Sequence, residues 1–216
     1  IDASLTYGAP DHRVRALADI FSAAADELAA AEPGSDRQMV WARMLLATLP
    51  AEEMLPVDQV LRGESPWPGL DVDADLRWRL LRRLAVLGAS RHRIDPVLAA
   101  DQSWEGHCRA LAVHAAQPDP ESKQEAWRLA FDDSRSLAER QAVMTGFRQP
   151  TQEELLQPYA RRYFDALPAL WAGSEREFAI AVTRLLYPRL PTAEAWVLDR
   201  TDGMPDGDTL PVVDPF

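Results

Sequence analysis

The chain has 216 residues, of which 23 are Lys or Arg and 34 are Asp or Glu, so its formal charge is -11 at pH 7. An acidic chain without a basic run is poorly suited to nucleic acid, because neutralisation of phosphates supplies most of that affinity. The hydrophobic share of 47% predicts a buried core. Every apolar run is interrupted well before the roughly 18 residues that a membrane span requires. We therefore expect a globular protein whose partners include neither nucleic acid nor a membrane.

Cysteine usage and the first residues indicate the compartment and the extent of the chain. Cys108 is the only cysteine, so no intrachain disulfide can form and a four-cysteine zinc site is excluded. A reducing cytoplasm is the compartment that this usage favours. The first four residues, Ile-Asp-Ala-Ser, contain neither an initiator Met nor the basic and apolar pattern of a secretory signal. We expect the chain to be trimmed or to be a fragment of a longer protein.

Apolar side chains recur at steps of three and four residues, which predicts a succession of amphipathic helices. The first predicted helix ends at a Pro-Gly pair, and Ser35 or Asp36 can cap the second. A loop at 63–69 contains two prolines and two glycines, and Gly88 stands where the next helix would end. In chain order, the predicted helices cover 10–31, 35–49, 71–87, 96–100, 103–117, 121–131, 137–147, 153–171, 175–187 and 192–198.

About ten helices with short connections, and no persuasive strand, predict an all-α fold. Helix pairs of roughly 30 to 40 residues favour a HEAT-like or armadillo-like superhelix of antiparallel pairs over a four-helix bundle. We predict a single helical domain over residues 1–200. Residues 201–216 contain four Asp, three Pro and two Gly, so we expect an extended and poorly ordered tail. The seven tryptophans are predicted to anchor helix pairs, with Trp67 in its loop as the exception.

The histidines and the cysteine do not form a recognised catalytic motif. There is no H-E-x-x-H string among the histidines at positions 12, 92, 107 and 114. His107 and His114 are about 10.5 Å apart along a helix axis, which is too far to share one ion without distortion. His107 is adjacent to Cys108 and badly placed to activate it, because neighbouring helical side chains diverge by about 100°. We predict a packed thiol and ordinary histidines; an independent enzyme would need all three side chains in one pocket.

Arginine dominates the cationic residues. All of the 23 except Lys123 are arginine, which we interpret as codon bias and not as a binding signal. Four of them crowd the predicted helix 71–87, at positions 77, 79, 82 and 83. Because a guanidinium donates two parallel hydrogen bonds to a carboxylate, this cluster is a candidate binding surface. Ion pairing with the aspartates at 71, 73 and 75 is the alternative interpretation.

Several strings in this order resemble the C-terminal helical domain of bacterial aminopeptidase N, a family of gluzincin zinc aminopeptidases. The matching strings are Ala31–Asp36, Asp73–Leu81, Glu121–Trp127, Gly146–Phe147, Glu154–Phe164 and Leu167–Trp171. Together they cover roughly residues 16 to 188. Beyond about residue 196 the sequence departs from the pattern of the family.

The resemblance implies a helical superhelix, similar to that of endoplasmic-reticulum aminopeptidases, that follows a thermolysin-like zinc catalytic domain. The two catalytic signatures of the family, H-E-x-x-H and Gly-x-Met-Glu-Asn, are absent from this sequence. The resemblance therefore implies no catalytic residue and no metal ligand here, and zinc only in the catalytic domain.

By resemblance, the module caps the catalytic domain of the same polypeptide and controls peptide access during removal of N-terminal amino acids. Its partners are then that domain and the peptide substrate. Arg79, Arg83, Arg161 and Arg162 are the candidate contacts for a peptide carboxylate. The alternative function is a free-standing helical-repeat scaffold that binds a protein or peptide partner on its concave face.

Overall fold

Helix starts in this chain follow short polar side chains. In the computed structural model, which describes residues 10–51, 57–88 and 91–189, five helices begin after a side chain that accepts a hydrogen bond from the backbone N–H three residues later. These N-caps are Ser35, Asp73, Ser103, Asp119 and Ser136. Such a bond satisfies an N–H group that has no partner inside the helix, which places the helix start at a definite residue.

The described residues form ten helices and no strand, which confirms the predicted all-α fold. None of these helices combines the length and the apolar character that a bilayer crossing demands. In chain order they are α1 (Pro10–Ala30), α2 (Asp36–Thr48), α3 (Val57–Leu61), α4 (Ala74–Val86), α5 (Arg91–Ala100), α6 (Trp104–Ala115), α7 (Pro120–Ala130), α8 (Leu137–Phe147), α9 (Glu153–Gly173) and α10 (Arg176–Leu185).

Two helices differ from the prediction. Helix α3 was not predicted, because its five residues are too few to display a helical period. Helix α5 begins five residues before the predicted position, so that Pro96 lies inside it and not at its start. The predicted helix over 192–198 and the predicted tail over 201–216 lie outside the described residues.

The helices pack in an alternating order. Helix α1 packs on α2, and the even-numbered helices then contact one another in succession, α2 with α4, α4 with α6, α6 with α8 and α8 with α10. Of the odd-numbered helices, α7 contacts α8 and α9. Stacking of alternate helices is the arrangement that a superhelix of helix pairs produces, because each pair contacts mainly its neighbours.

Helix α4 lies between two parts of the core. Leu76 and Leu80 on one face pack with apolar residues of α1, α2 and α3. Trp78 and Leu81 on the other face pack with Val113 of α6. A third cluster, which extends from α6 to α10, completes the core. Helix α4 therefore connects the first three helices to the remainder of the domain.

Helices α6 and α8 approach each other closely at Gly146. A β-carbon at this position would lie only 2.0 Å from the backbone oxygen of Ala112. Only glycine has no side-chain atom there, and the close approach lets the two helix backbones touch. Gly146 is buried, so the contact forms part of the packed interior.

The tryptophans only partly follow the prediction. Trp78 is buried, and the Trp127 ring lies 5.0 to 5.8 Å from the rings of Phe131, Phe147 and Tyr159, as expected of helix anchors. The prediction is wrong for Trp104 and Trp171, which are 58% and 51% exposed. Both lie close to a helix end, where few neighbouring helices are available to cover a large ring. Trp196 lies outside the described residues.

Candidate functional site

One cleft in the described part of the chain has four arginines in its wall. It has a volume of about 460 Å³ and lies among the start of α1, helix α4, the α8–α9 connection and the segment that follows α10. We name it the arginine cleft, after Arg13, Arg82, Arg148 and Arg189. An apolar part of the wall, which contains Phe147, Leu156, Tyr159, Leu185, Leu186 and Tyr187, lines the same space.

Two of these arginines tie distant helices together at the cleft. The Nη1 of Arg13 donates to the carbonyl oxygen of Pro150 at 3.2 Å and also contacts the carboxylate of Glu153. These two contacts hold the start of α1 against the start of α9. The Nη2 of Arg82 donates to the carbonyl oxygen of Thr145 at 3.2 Å, which joins α4 to α8. The cleft thus depends on contacts between residues far apart in sequence.

The connection that carries Arg148 is held by buried amide side chains. The Nε2 of Gln149 donates to the carbonyl oxygen of Gly146 at 2.7 Å. The Nε2 of Gln152 donates to the carbonyl oxygens of Ala116 at 2.9 Å and Val86 at 3.2 Å. Both amides are buried, so the bonds of Gln152 hold the connection against the C-terminal ends of α4 and α6, and the bond of Gln149 holds it against α8.

Lys123, the sole lysine, binds the end of α8, where the connection that carries Arg148 begins. Its side chain is fully buried, and its Nζ donates to the carbonyl oxygens of Ala115 at 2.8 Å and Phe147 at 3.1 Å. Burial lowers the pKa of this amine from 10.5 to about 7, an effect that the nearby carboxylate of Asp119 partly offsets. One amine therefore binds the C-terminal carbonyls of α6 and α8 at once.

The arginine cleft has a charge opposite to that of the chain. Among its described lining residues, four guanidinium groups face one carboxylate, that of Glu153, whereas the whole chain has a formal charge of -11. Guanidinium groups match carboxylates and phosphates, to which they donate paired hydrogen bonds. An oxyanion attached to an apolar or aromatic group is the ligand chemistry that this combination suits.

Arg79 and Arg83, two of the arginines predicted to contact a peptide carboxylate, make contacts within the protein. The Nε of Arg79 donates to the carboxylate of Asp75 at 2.8 Å, the ion pairing considered as the alternative. The Nε of Arg83 donates to the carbonyl oxygen of Leu49 at 2.7 Å, and burial lowers the pKa of this guanidinium. Neither residue is among those that line the arginine cleft.

The other two predicted arginines lie on α9. Arg161 is 3.5 Å from the carboxylate of Asp165, with 79% of its side chain exposed. The guanidinium of Arg162 lies over the ring of Tyr159, 5.0 Å from its centre. The described lining of the arginine cleft does not include them, and the assignment of all four arginines to a peptide carboxylate stays a prediction. Arg82, from the helix cluster that the sequence singled out, does line the cleft.

The carboxylate of Glu139 lies close to His107 and disfavours the thiolate form of Cys108. His107 Nε2 lies 3.0 Å from an oxygen of Glu139, and the rings of Trp104 and His107 are stacked. Burial and the charge of Glu139 raise the pKa of the Cys108 thiol. A nucleophilic cysteine needs the opposite shift, because the thiolate is the reactive form. His114 is separate from this group and borders an apolar groove formed by α6, α7 and α8.

Glu139 should give the protein a characteristic loss of stability in acid. Hydrogen bonds from His107 and from Ser136 lower its pKa from 4.5 to about 2. The folded state therefore favours the carboxylate, and this contribution is present above about pH 4.5 and lost as the pH falls towards 2. Between about pH 5 and pH 3, we expect the urea midpoint of Glu139→Gln to fall less steeply than that of the parent.

A graded variant tests the cause of this acid effect. His107→Ala keeps the carboxylate and removes one of its donors, so its acid slope should lie between those of the parent and Glu139→Gln. Identical slopes for the three proteins would contradict the role of this carboxylate. Urea unfolding followed by far-ultraviolet circular dichroism gives all three midpoints.

Metal ligands are not brought together in the part of the chain that the structure describes. No group of three or more His, Cys, Asp or Glu side chains there could hold a metal ion. His92 belongs to the side chains that are not described. Among the described side chains, none is therefore assigned as a zinc ligand.

Comparison with known proteins agrees with this helical architecture. The model of the family described as ERAP1-like C-terminal domain matches residues 2–201. Aminopeptidase N of Streptomyces lividans is 38% identical over 199 residues, which are 91% of this chain and 23% of that protein. The chain thus spans about a quarter of the length of this curated relative, and the match includes all ten described helices. The chain belongs to the ERAP1-like C-terminal domain family.

Proposed function

We propose that this chain is the non-catalytic C-terminal module of a zinc aminopeptidase N, which caps the catalytic domain and controls the access of peptides to it. The arginine cleft contacts the carboxylate end of the peptide while the catalytic domain removes the N-terminal residue. Family membership and the similarity to aminopeptidase N support the first part. The proposed contact with the peptide carboxylate rests on the cleft, in which four guanidiniums lie beside an apolar wall.

The residues of this chain bind and orient in this proposal, and they transfer no proton or acyl group. Arg82 and Arg189 donate to the peptide carboxylate. The rings of Tyr159 and Tyr187 pack on the side chain of the C-terminal residue of the peptide. The buried amides of Gln149 and Gln152 hold the α8–α9 connection that carries Arg148. Zinc supplies hydrolytic chemistry in the catalytic domain, and this chain contributes selection by the size and end group of the peptide.

Arg82→Gln in the full-length gene product tests the contact with the peptide. We compare the KM of a nonapeptide with the KM of an aminoacyl chromogenic substrate, which is too short to reach the cleft. We expect the ratio of the two KM values to rise about tenfold, which corresponds to loss of about 1.4 kcal/mol from one charge-assisted hydrogen bond. The 216-residue chain with added zinc serves as the blank, and activity is expected only in the longer protein.

Arg161→Gln is the matched control. Arg161 is exposed on α9 and outside the described lining of the cleft, so its replacement should leave the ratio unchanged. A rise with Arg161→Gln and none with Arg82→Gln would place the contact at the residues predicted from the sequence and contradict the cleft. An unchanged ratio in both variants would contradict a contact of the peptide with either Arg82 or Arg161.

A further inference from the structure

A second cleft lies among the end of α7, the start of α8, the end of α9 and the start of α10, and it shares no described lining residue with the arginine cleft. Its volume is about 710 Å³, and we name it the α8–α10 cleft. This volume is within the range of sites for small molecules. Charged side chains of both signs line it together with an apolar wall, which contains Phe131, Leu137, Leu170 and Phe178.

Arg140 supplies the α8–α10 cleft with a guanidinium that is held in place at one side only. Its guanidinium carbon lies 3.4 Å from the centre of the Phe178 ring, and its Nε donates to the carbonyl oxygen of Ala130 at 3.3 Å. Neither of its Nη groups makes a hydrogen bond or an ion pair with another described residue. The second guanidinium of the wall, that of Arg135, is paired with Glu139 at 3.2 Å. Arg140 is therefore fixed in position and keeps the two donors that a carboxylate accepts in parallel.

Two carboxylates line the same cleft and are not used inside the described part of the protein. Asp133 and Glu175 are exposed, and the carboxylate of neither takes part in a hydrogen bond or an ion pair with a described residue. Burial lowers the pKa of Arg140, and the charges of Asp133 and Glu175 partly offset this effect. The three groups are thus near enough to influence one another but not in contact, so charges of opposite sign are separated within one cleft.

This arrangement discriminates against ligands with a single charge. A simple anion would meet the repulsion of Asp133 and Glu175, and a simple cation would meet that of Arg140. An α-amino acid has both charges on neighbouring atoms, so its carboxylate can bind the guanidinium while its ammonium binds a carboxylate of the wall. An apolar side chain can then pack on the apolar wall, which leaves the cleft matched to the ligand in charge and in polarity.

We propose that the α8–α10 cleft binds a zwitterionic α-amino acid with an apolar side chain, through Arg140 at its carboxylate and through Asp133 and Glu175 at its ammonium. Under the proposed function, this ligand has the chemistry of the amino acid that the catalytic domain releases from a peptide. That identification of the ligand rests on the proposed function, whereas the binding site does not.

The first test varies the ligand. L-Phenylalanine is titrated into the full 216-residue chain, labelled with nitrogen-15, and the backbone amide shifts report both the affinity and the location of the site. We expect saturable shifts around Ser136 and Ser174, which line the cleft, with a dissociation constant in the millimolar range. N-Acetyl-L-phenylalanine lacks the ammonium and L-phenylalaninamide lacks the carboxylate, so each should bind about tenfold more weakly. Absence of saturation, shifts confined to other residues, or equal binding of all three would overturn the proposal.

The second test varies the protein against the same ligands. Arg140→Gln should weaken binding of L-phenylalanine about tenfold and should not weaken that of L-phenylalaninamide, which has no carboxylate for the guanidinium. Asp133→Asn with Glu175→Gln should weaken binding of L-phenylalanine about tenfold and should not weaken that of N-acetyl-L-phenylalanine, which has no ammonium. A loss of the same size for all three ligands would mean that the charges do not contact the ligand, and would overturn the proposal.

Arg161→Gln and Glu177→Gln are the matched controls. Both residues are exposed and outside the described lining of the cleft, and Glu177 is on α10 close to Glu175. Both variants should bind L-phenylalanine like the parent, and losses equal to those of the cleft variants would reduce the effect to net charge and contradict the site. Arg140→Lys keeps the charge but not the paired donors, and it should bind about threefold more weakly than the parent. If the Arg140 variants do not fold, the double variant of the two exposed carboxylates decides the question.

The two proposals are decided by different measurements. If L-phenylalanine does not bind while Arg82→Gln raises the ratio of the KM values, the inference is wrong and the proposed function stands. If L-phenylalanine binds in the α8–α10 cleft but the full-length gene product releases no amino acid from peptides, the site stands, and both the proposed function and the identification of the ligand as a released product are wrong.

Discussion

Replacing Gly146 with alanine should lower the free energy of unfolding by about 3 kcal/mol or more. The added β-carbon would lie 2.0 Å from the backbone oxygen of Ala112, and 2.7 and 2.8 Å from its carbonyl carbon and α-carbon. All three neighbours are backbone atoms, so no side chain can rotate away and helices α6 and α8 must separate. The adjacent carbonyl of Phe147, which accepts from Lys123, would move with α8.

Gly173→Ala provides the matched control for this steric effect. A β-carbon at Gly173 meets nothing within 4 Å, and the residue is the last of α9. Alanine has the higher helix propensity, so this variant should be unchanged or stabilised by up to about 1 kcal/mol. Urea unfolding followed by circular dichroism measures both variants. A stability of Gly146→Ala within about 0.5 kcal/mol of the parent would show that α6 and α8 are not in contact here.

Lys123→Met should destabilise the protein by about 2 kcal/mol near pH 9. The change keeps the volume and the apolar stem but leaves the carbonyl oxygens of Ala115 and Phe147 without this donor. A buried carbonyl that loses its partner costs about 1 to 3 kcal/mol, which relief of the burial of the amine partly offsets. Gln124→Met, at the exposed neighbouring position of α7, is the control and should stay within about 0.5 kcal/mol of the parent.

The same amine should make the stability depend on pH. Its folded pKa of about 7 is below the ordinary value of 10.5, so the unfolded chain binds more protons between these values. Stability is therefore lowest below about pH 7 and rises as the pH increases, by at most about 1.4 kcal/mol per pH unit. Measurements stop near pH 9, because the raised pKa of Cys108 has the opposite effect above its ordinary value of 9.0.

We expect the urea midpoint of the parent to increase between about pH 7 and pH 9 and that of Lys123→Met to increase much less. Since Lys123 is the only lysine, carbon-13 labelling of lysine gives a single side-chain signal, whose titration reports the pKa directly. A midpoint near pH 10.5, or an unchanged pH slope in the variant, would contradict the lowering of this pKa by burial.

Local signals explain why most helices could be predicted. Helix α8 was predicted over its observed range, Leu137–Phe147, and a capping box of Ser136 and Glu139, which can be read from the sequence, marks its start. Pro120 follows the N-cap Asp119 in α7, which placed that start within one residue. These signals act between neighbours in sequence, so they are readable without knowledge of the tertiary structure.

The arginine cleft could not be predicted in this way. Arg13, Arg82, Arg148 and Arg189 come from four separate parts of the chain, and each resembles an ordinary surface arginine in its local sequence. Their proximity depends on how the helices stack, which periodicity does not determine. Lys123 did leave a signal, since it shares a helical face with the buried Ala126 and Ala130, but interpretation of the lysine count as codon bias obscured it.

The double burial of α4 has a consequence for how the molecule unfolds. In a simple solenoid, each repeat contacts only its neighbours, and the ends can open while the middle remains folded. Here Leu76 and Leu80 belong to the amino-terminal cluster, and Trp78 and Leu81 to the next one, on a single 13-residue helix. Loss of that helix removes support from both sides at once, so we expect unfolding of either half to destabilise the other.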